Sequence, residues 1–139
     1  MSERRIETYE EFWPFYVREH SDPTNRRLHF VGTSASIALM AAALLRRKPV
    51  HLLHALVAGY GGAWIGHFVF QKNKPATFKY PLWSLFSDFR MWGKTVMGQM
   101  EEEVARAMAA EEERKAREEE AARQEAPAPE PAVRPQDLN

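Results

Sequence analysis

The sequence predicts an all-α, multi-pass membrane protein built on a transmembrane helical hairpin, with amphipathic interfacial helices on either side. Three observations carry this expectation. Two stretches, "LHFVGTSASIALMAAALL" (28–45) and "VHLLHALVAGYGGAWIGHFVF" (50–70), contain no Asp, Glu, Lys or Arg. Only "RRKP" separates them, so the economical arrangement is two antiparallel arms. Aromatic-rich segments with basic residues flank the pair on both sides. At a rise of about 1.5 Å per residue the arms reach roughly 27 and 32 Å, close to a hydrocarbon core of about 30 Å. Backbone polar groups at that depth must bond within their own segment, which selects helix over an open strand. A soluble helical hairpin is the competing reading, but little other apolar sequence remains to wrap two such helices.

The elements follow in order. Near the N-terminus, Ile6, Tyr9, Trp13 and Tyr16 recur at helical spacing with Phe12 and Phe15 beside them, in a helix that Pro14 is expected to kink or restart. "EHSDPTNRRLHF" (19–30) reads as a polar, proline-containing loop entering the first arm. Beyond the second arm, "KYPLWSLFSDFRMW" places Leu82, Phe86 and Phe89 on one helix face, with Pro81 suited to the first turn. Both flanking helices are expected in the headgroup zone. Residues 99–125 form a charged helix, with Glu102→Arg106 and Glu111→Lys115 at i,i+4; it lacks an apolar heptad seam and reads as solvated. "APAPEPAVRPQDLN" (126–139) reads as a disordered tail. The expected organisation is a membrane domain over 1–98, then the charged helix, then the tail.

Composition excludes several function classes. The 19 basic and 19 acidic residues balance, so there is no basic surplus for nucleic acid. With no cysteine, disulfides, thiolate metal sites and Cys nucleophiles are excluded. The charged N-terminus lacks a secretory signal pattern. No nucleophile elbow, Walker loop or zinc-protease motif is present. Arg18, Arg26, Arg27, Lys72, Lys74, Lys79 and Arg90 outnumber Arg46, Arg47 and Lys48 at the tip, which favours both termini in the cytoplasm.

The histidines carry the chemistry. With Lys48 as the tip, His29 lies 19 residues before it and His67 lies 19 after, so straight arms bring both to the same depth at the open end. His20 can fold over that end, whereas His51 and His54 sit beside the tip. Gly59, Gly62 and Gly66 on one arm and Gly32 and Ser36 on the other would let the backbones approach closely. Three neutral imidazoles at a membrane edge could bind Zn, Fe, Cu or Ni, with Glu19, Asp22 and Asp88 nearby. Helix capping and carbonyl hydrogen bonds are the alternative use of the same rings. The pair His51 and His54 could form a second site, though ordinary structural roles fit it better.

"REHSDPTNRRLHFVGT", "GAWIGHFVFQKNKPATF" and "YPLWSLFSDFRMW" resemble the yeast-type 2-hydroxy fatty acid dioxygenase family of phytosphingosine metabolism, in its bacterial branch, over roughly residues 7 to 95. The specific parts are the spacing of His20, Asn25 and His29, the Gly66-His67 pair and the Pro75-Ala76 step. The resemblance implies Fe(II)- and O2-dependent α-oxidation of a long-chain 2-hydroxy fatty acid to the one-carbon-shorter acid. His20, His29 and His67 would hold the iron, Asn25 would support them, and Asp88 and Gln71 complete the candidate catalytic set. Gln71 is a departure: the family pattern leads one to expect Glu there, and a neutral amide supplies neither a carboxylate ligand nor a base. Arg26, Lys72 and Lys74, with Lys79, would face the substrate carboxylate. The resemblance implies the fatty acid as substrate and a bacterial inner membrane as location. The apolar spans themselves imply the lipid bilayer as partner, and because two short spans make a thin scaffold, a homodimer or further re-entrant segments are the expected supplements. The rival functions are a non-enzymatic membrane interaction module and a metal-dependent enzyme acting on another lipid.

Overall fold

Local caps fix where the helices begin. Asp22 accepts the Asn25 N–H at 2.9 Å and Pro23 fills the first turn, so a helix starts at Pro23 rather than near residue 28. The computed structural model describes residues 5–125; the Pro-rich tail expected at 126–139 lies outside the described residues. The described residues form helices and turns with no strand: α1 (Tyr9–Arg18), α2 (Pro23–Arg46), α3 (Val50–Ile65), α4 (Pro81–Val96) and α5 (Met100–Glu125). A π-wound turn (Gly66–Gln71) continues α3, and a 3-10 turn (Ala76–Phe78) precedes α4. The chain divides into two compact units, Met1–Met108 and Ala109–Asn139. In the second, Arg114 pairs with Glu111 at 2.7 Å and with Glu118 on an exposed helix surface.

Two expectations are corrected. Pro14 does not restart the helix: α1 runs unbroken through it from Tyr9 to Arg18, and the i→i−4 bond that Pro14 forgoes is the one to the Glu10 carbonyl. The 19–30 stretch is not one loop either. Only residues 19–22 lie outside helix, and His29 sits on the second turn of α2.

The hairpin forms as its spacing requires. Arg47 takes the left-handed conformation at φ 53°, and the Lys48 N–H returns to the Ala43 carbonyl at 3.1 Å, closing α2 in a tight turn. Small residues bring α2 and α3 together. A Cβ on Gly62 would stand 2.8 Å from the Leu28 carbonyl oxygen, and one on Gly32 would stand 2.9 Å from that of Ala58. Ser36 donates its hydroxyl to the Ala55 carbonyl at 2.6 Å, so the polar side chain where the arms touch is satisfied across the pair.

Aromatic packing closes the open end. Phe12, Trp13, Tyr16 and Val17 of α1 join Tyr80 and Met91 of the α4 region and Met100 and Ala107 of α5 in one buried cluster. The Trp13 indole N–H donates to Glu103 at 2.9 Å, and Lys94 pairs with the same carboxylate at 2.9 Å, tying the start of α5 to α1 and α4.

Elsewhere the usual distribution is reversed. Helix α4 buries Ser84 and Ser87 while Leu82 and Phe86 are 79% and 60% exposed. Leu53, Leu56, Val57, Ile65 and Val69 of the α3 arm also face outward. Both arms, Pro23–Arg46 and Val50–Gln71, are long and apolar enough to cross a membrane.

Candidate metal centre

Each of the three histidines comes from a different local structure. His20 follows α1 by two residues, and its Nδ1–H can only donate to the Tyr16 carbonyl, at 2.6 Å, while its ring stacks on Tyr16 at 4.0 Å. His29 projects from α2 one turn after Asn25. His67 lies in the π-wound turn, a winding that frequently marks functional sites. All three are buried, at 1%, 4% and 1% exposure.

Their Nε2 atoms converge. His20 Nε2 is 3.2 Å from His29 Nε2 and 3.0 Å from His67 Nε2, and one ligand atom from each ring lies within 4.8 Å of the others. Ligands about 2.0–2.1 Å from a shared ion stand roughly 2.8–3.4 Å apart at octahedral to tetrahedral angles, which matches the two separations from His20.

The outer sides of the rings sharpen the assignment. His67 Nδ1–H donates to Asn73 Oδ1 at 2.7 Å, and the Asn73 amide is oriented by donating to the Glu19 carbonyl at 3.0 Å and carboxylate at 2.7 Å. His29 Nδ1 faces Asp88 Oδ1 at 3.4 Å. Every Nδ1 therefore meets an acceptor: a carbonyl, an amide oxygen and a carboxylate. That arrangement places the ring protons outside and three Nε2 lone pairs inside, where without a cation they would repel. Outer partners of this kind fix tautomer and ring orientation at histidine metal sites. Burial, with the neighbouring His29 and His67, holds His20 well below the usual histidine range and keeps it neutral. The donor set thus fits a borderline divalent ion.

Asp88 links this shell to Tyr16. The Tyr16 hydroxyl donates a short hydrogen bond to Asp88 Oδ1, the oxygen that faces His29. Burial, then the adjacent Asp88 charge, pushes the Tyr16 phenol well above its ordinary value, so it remains a donor.

A half-open cavity of about 260 Å³ begins at the three histidines and runs between α2, α3 and α4. Its walls are mainly apolar, with Met40 and Leu52 among its lining residues and Asp88 the sole formally charged one. The hydroxyl-bearing Tyr16, Thr33 and Ser84 are also among its lining residues, and the buried Ser84 Oγ has no hydrogen-bond partner.

A family described as 2-hydroxy-palmitic acid dioxygenase Mpo1-like matches residues 6–100. The chain belongs to the Mpo1-like family. No curated protein and no solved structure matches it significantly. Membership agrees with the resemblance read from the same segments, and the family's name couples dioxygenase chemistry to a 2-hydroxy fatty acid.

In this Mpo1-like chain the other candidate residues divide. His20, His29, His67 and Asp88 come together. Asn25 and Gln71 meet one another instead, with Asn25 Nδ2 donating to Gln71 Oε1 at 3.4 Å. Gln71 also accepts the Asp22 N–H at 2.8 Å and donates to Ser21 Oγ at 2.8 Å, so its amide clamps the loop that carries His20. Arg26 is buried and already engaged: it donates to the carbonyls of His20 at 3.0 Å and Ser21 at 2.7 Å, and pairs with Glu101 at 2.6 Å. None of Arg26, Lys72, Lys74 and Lys79 lines the cavity. His51 and His54 stand as a separate pair with ring centroids 5.7 Å apart. Asn73 and Tyr16 are site residues that the sequence does not single out. Nothing in "QKNK" distinguishes its asparagine, and Tyr16 reads as one more member of an aromatic stripe.

Proposed function

We propose that the chain is a multi-pass membrane Fe(II) dioxygenase that shortens a long-chain 2-hydroxy fatty acid by one carbon. The observation that carries this reading is the inward convergence of three Nε2 atoms whose Nδ1 sides all meet acceptors, at the head of an apolar cavity. His20, His29 and His67 would hold the metal. Ferrous iron there would supply O2 activation and an anchor for the substrate's hydroxyl and carboxylate. The reaction balances as 2-hydroxy acid plus O2 giving the shorter acid, carbon dioxide and water, with the C1–C2 bond broken and dioxygen reduced.

The chain's own groups do the rest. Asn73, Asp88 and the Tyr16 carbonyl hold the rings at fixed angles, and Tyr16 keeps the Asp88 carboxylate turned toward His29. The apolar walls exclude water from the substrate's tail. Gln71 acts through the His20 loop, so this departure from the family pattern falls on a loop clamp.

Membrane insertion is supported by the reversed burial. Only 28% and 22% of the residues in the most apolar windows of the two arms are buried, whereas the core helix of a soluble protein would be mostly covered. The basic residues at the open end support cytoplasmic termini. Residues 1–98 would form the membrane-embedded domain, with a solvated helix after it. Lys72 and Lys74 would then serve as interfacial anchors.

The test is metal content followed by turnover. Protein purified anaerobically and reconstituted with Fe(II) is expected to retain near-stoichiometric iron and, on exposure to O2, to convert 2-hydroxyhexadecanoate to pentadecanoate. His29→Ala and His67→Ala should lose both. Equal trace iron in the wild type and the variants would overturn the metal assignment. Iron retention without product would overturn the substrate.

A further inference from the structure

The cavity has a direction as well as a volume. On α2 its lining residues are His29, Thr33, Ser36 and Met40, which share one face of the helix. On α3 it is lined from His67 back to Leu52. The cavity therefore follows the groove of the hairpin from the histidines toward the tip.

Small side chains make the room. Ala55 and Ala63 are buried at 5% and 8% exposure, and Gly59 lies between them. Ser36 would break the apolar lining, but its hydroxyl is already bonded to the Ala55 carbonyl at 2.6 Å. Past the head region, the polar groups that α2 and α3 add to the lining are then the Tyr60 hydroxyl and the Trp64 indole N–H.

The length also fits an acyl chain. Eleven residues of α2 put Met40 about 16 Å beyond His29, and fifteen residues of α3 put Leu52 about 22 Å from His67, at about 1.5 Å rise. A zigzag of carbon–carbon bonds of about 1.5 Å advances about 1.25 Å per bond, so these lengths take roughly 13 to 18 bonds.

We propose that this groove is the acyl-tail subsite, and that Met40 and Leu52 at its far end set the accepted chain length. The proposal rests on the lipid-substrate reading above and adds where the tail lies. The bound acid runs parallel to the two arms, as a lipid does within one leaflet, with its head at the histidines. In the membrane it can enter sideways between α3 and α4, past the half-exposed Trp64, Leu85 and Phe89, without crossing water.

The test uses the full chain in lipid nanodiscs and displacement of a fluorescent fatty acid by 2-hydroxydecanoate through 2-hydroxyoctadecanoate. Wild-type affinity should rise with chain length by about fourfold per methylene and then level off once the groove is full. Leu52→Trp should move the plateau to shorter chains and leave 2-hydroxydecanoate unchanged. Met40→Ala should move it to longer ones. Both positions are part-exposed, and iron retention checks that the variants keep the site. Ala55→Leu, which fills the groove about one helical turn nearer the histidines than Leu52, should shorten the plateau further. Equal effects on all chain lengths, no effect of any variant, or no displacement by any acid would overturn the groove assignment. Graded binding without turnover would leave the groove standing and overturn the reaction. Turnover with an unmoved plateau would do the reverse.

Discussion

Replacing Gly66 by alanine should dismantle the proposed metal centre while leaving the hairpin folded. Gly66 precedes His67 and faces Asn25. A Cβ built there lies 2.0 Å from Asn25 Oδ1, 2.9 Å from its Cγ and 3.2 Å from its Cα. Since real Cβ atoms essentially never come within 3.0 Å of a neighbour, the amide oxygen must retreat by about 1 Å. Rotating the side chain relieves only part of this. Asn25 is fully buried, its N–H is held by Asp22 at 2.9 Å, and the crowded α-carbon is part of the helix backbone, which no rotamer change can move. The π turn must therefore move as well, by a few tenths of an ångström or more, and it carries His67. Metal sites tolerate ligand displacements of only about ±0.2 Å. The expected results are a stability loss of about 1–3 kcal/mol, as for overpacking, and a fall in metal affinity on the order of 10–100-fold. Gly61→Ala is the internal control, because nothing lies within 4 Å of its Cβ position. It should leave affinity unchanged and favour the helix slightly. The assay is Co(II) titration followed by visible absorption, with thermal melts of the metal-free proteins. Wild-type Co(II) affinity in Gly66→Ala, or equal losses in the two variants, would refute the reasoning.

Two further predictions concern residues around the histidines. Asn73→Ala removes the acceptor for His67 Nδ1–H and the anchor to Glu19, so metal affinity should drop by roughly 10–100-fold with little change in helix content, read by the same titration with circular dichroism. Gln71→Glu should leave metal content within about twofold of wild type, because Asp22 N–H, Asn25 Nδ2 and the Ser21 hydroxyl can all donate to a carboxylate placed there. A large gain of metal would instead make residue 71 a ligand.

What could be read from the sequence was whatever helix geometry alone determines. His29 and His67 could be paired because rise per residue is nearly constant, so equal counts from Lys48 mean equal depth; their ring centroids are 5.2 Å apart. The glycine faces were legible for a similar reason, since close approach excludes Cβ atoms whatever the partner. The roles of individual polar groups were not. Arg26 carries a charge suited to a fatty acid, and only the fold shows its guanidinium spent on two loop carbonyls and Glu101. Asn73 lies beyond a π turn, and the sequence does not announce that its helix will widen there. Helix α4 has a clear apolar stripe, but a stripe does not say whether it faces protein or lipid. Here Leu82 and Phe86 face outward and the serines inward.

That reversal bears on how the site is held together. In water, hydrophobic burial would drive α2, α3 and α4 to meet through their leucines and phenylalanines, and the histidines would have to be desolvated against that preference. On the membrane reading the balance changes sign. Lipid solvates the apolar stripes at no cost, so they supply no drive for association, and the polar faces are what must find partners. Thr33, Ser36, Ser84 and Ser87, together with the three histidines, are buried in the interior, and hydrogen bonds such as Ser36 to Ala55 and Tyr9 to Ser87 cross between helices. The groups that make the proposed metal centre are then also among the groups that assemble the bundle. Removing a ligand should therefore loosen helix packing as well as abolish metal binding, whereas exchanging one lipid-facing leucine for another apolar residue should do neither.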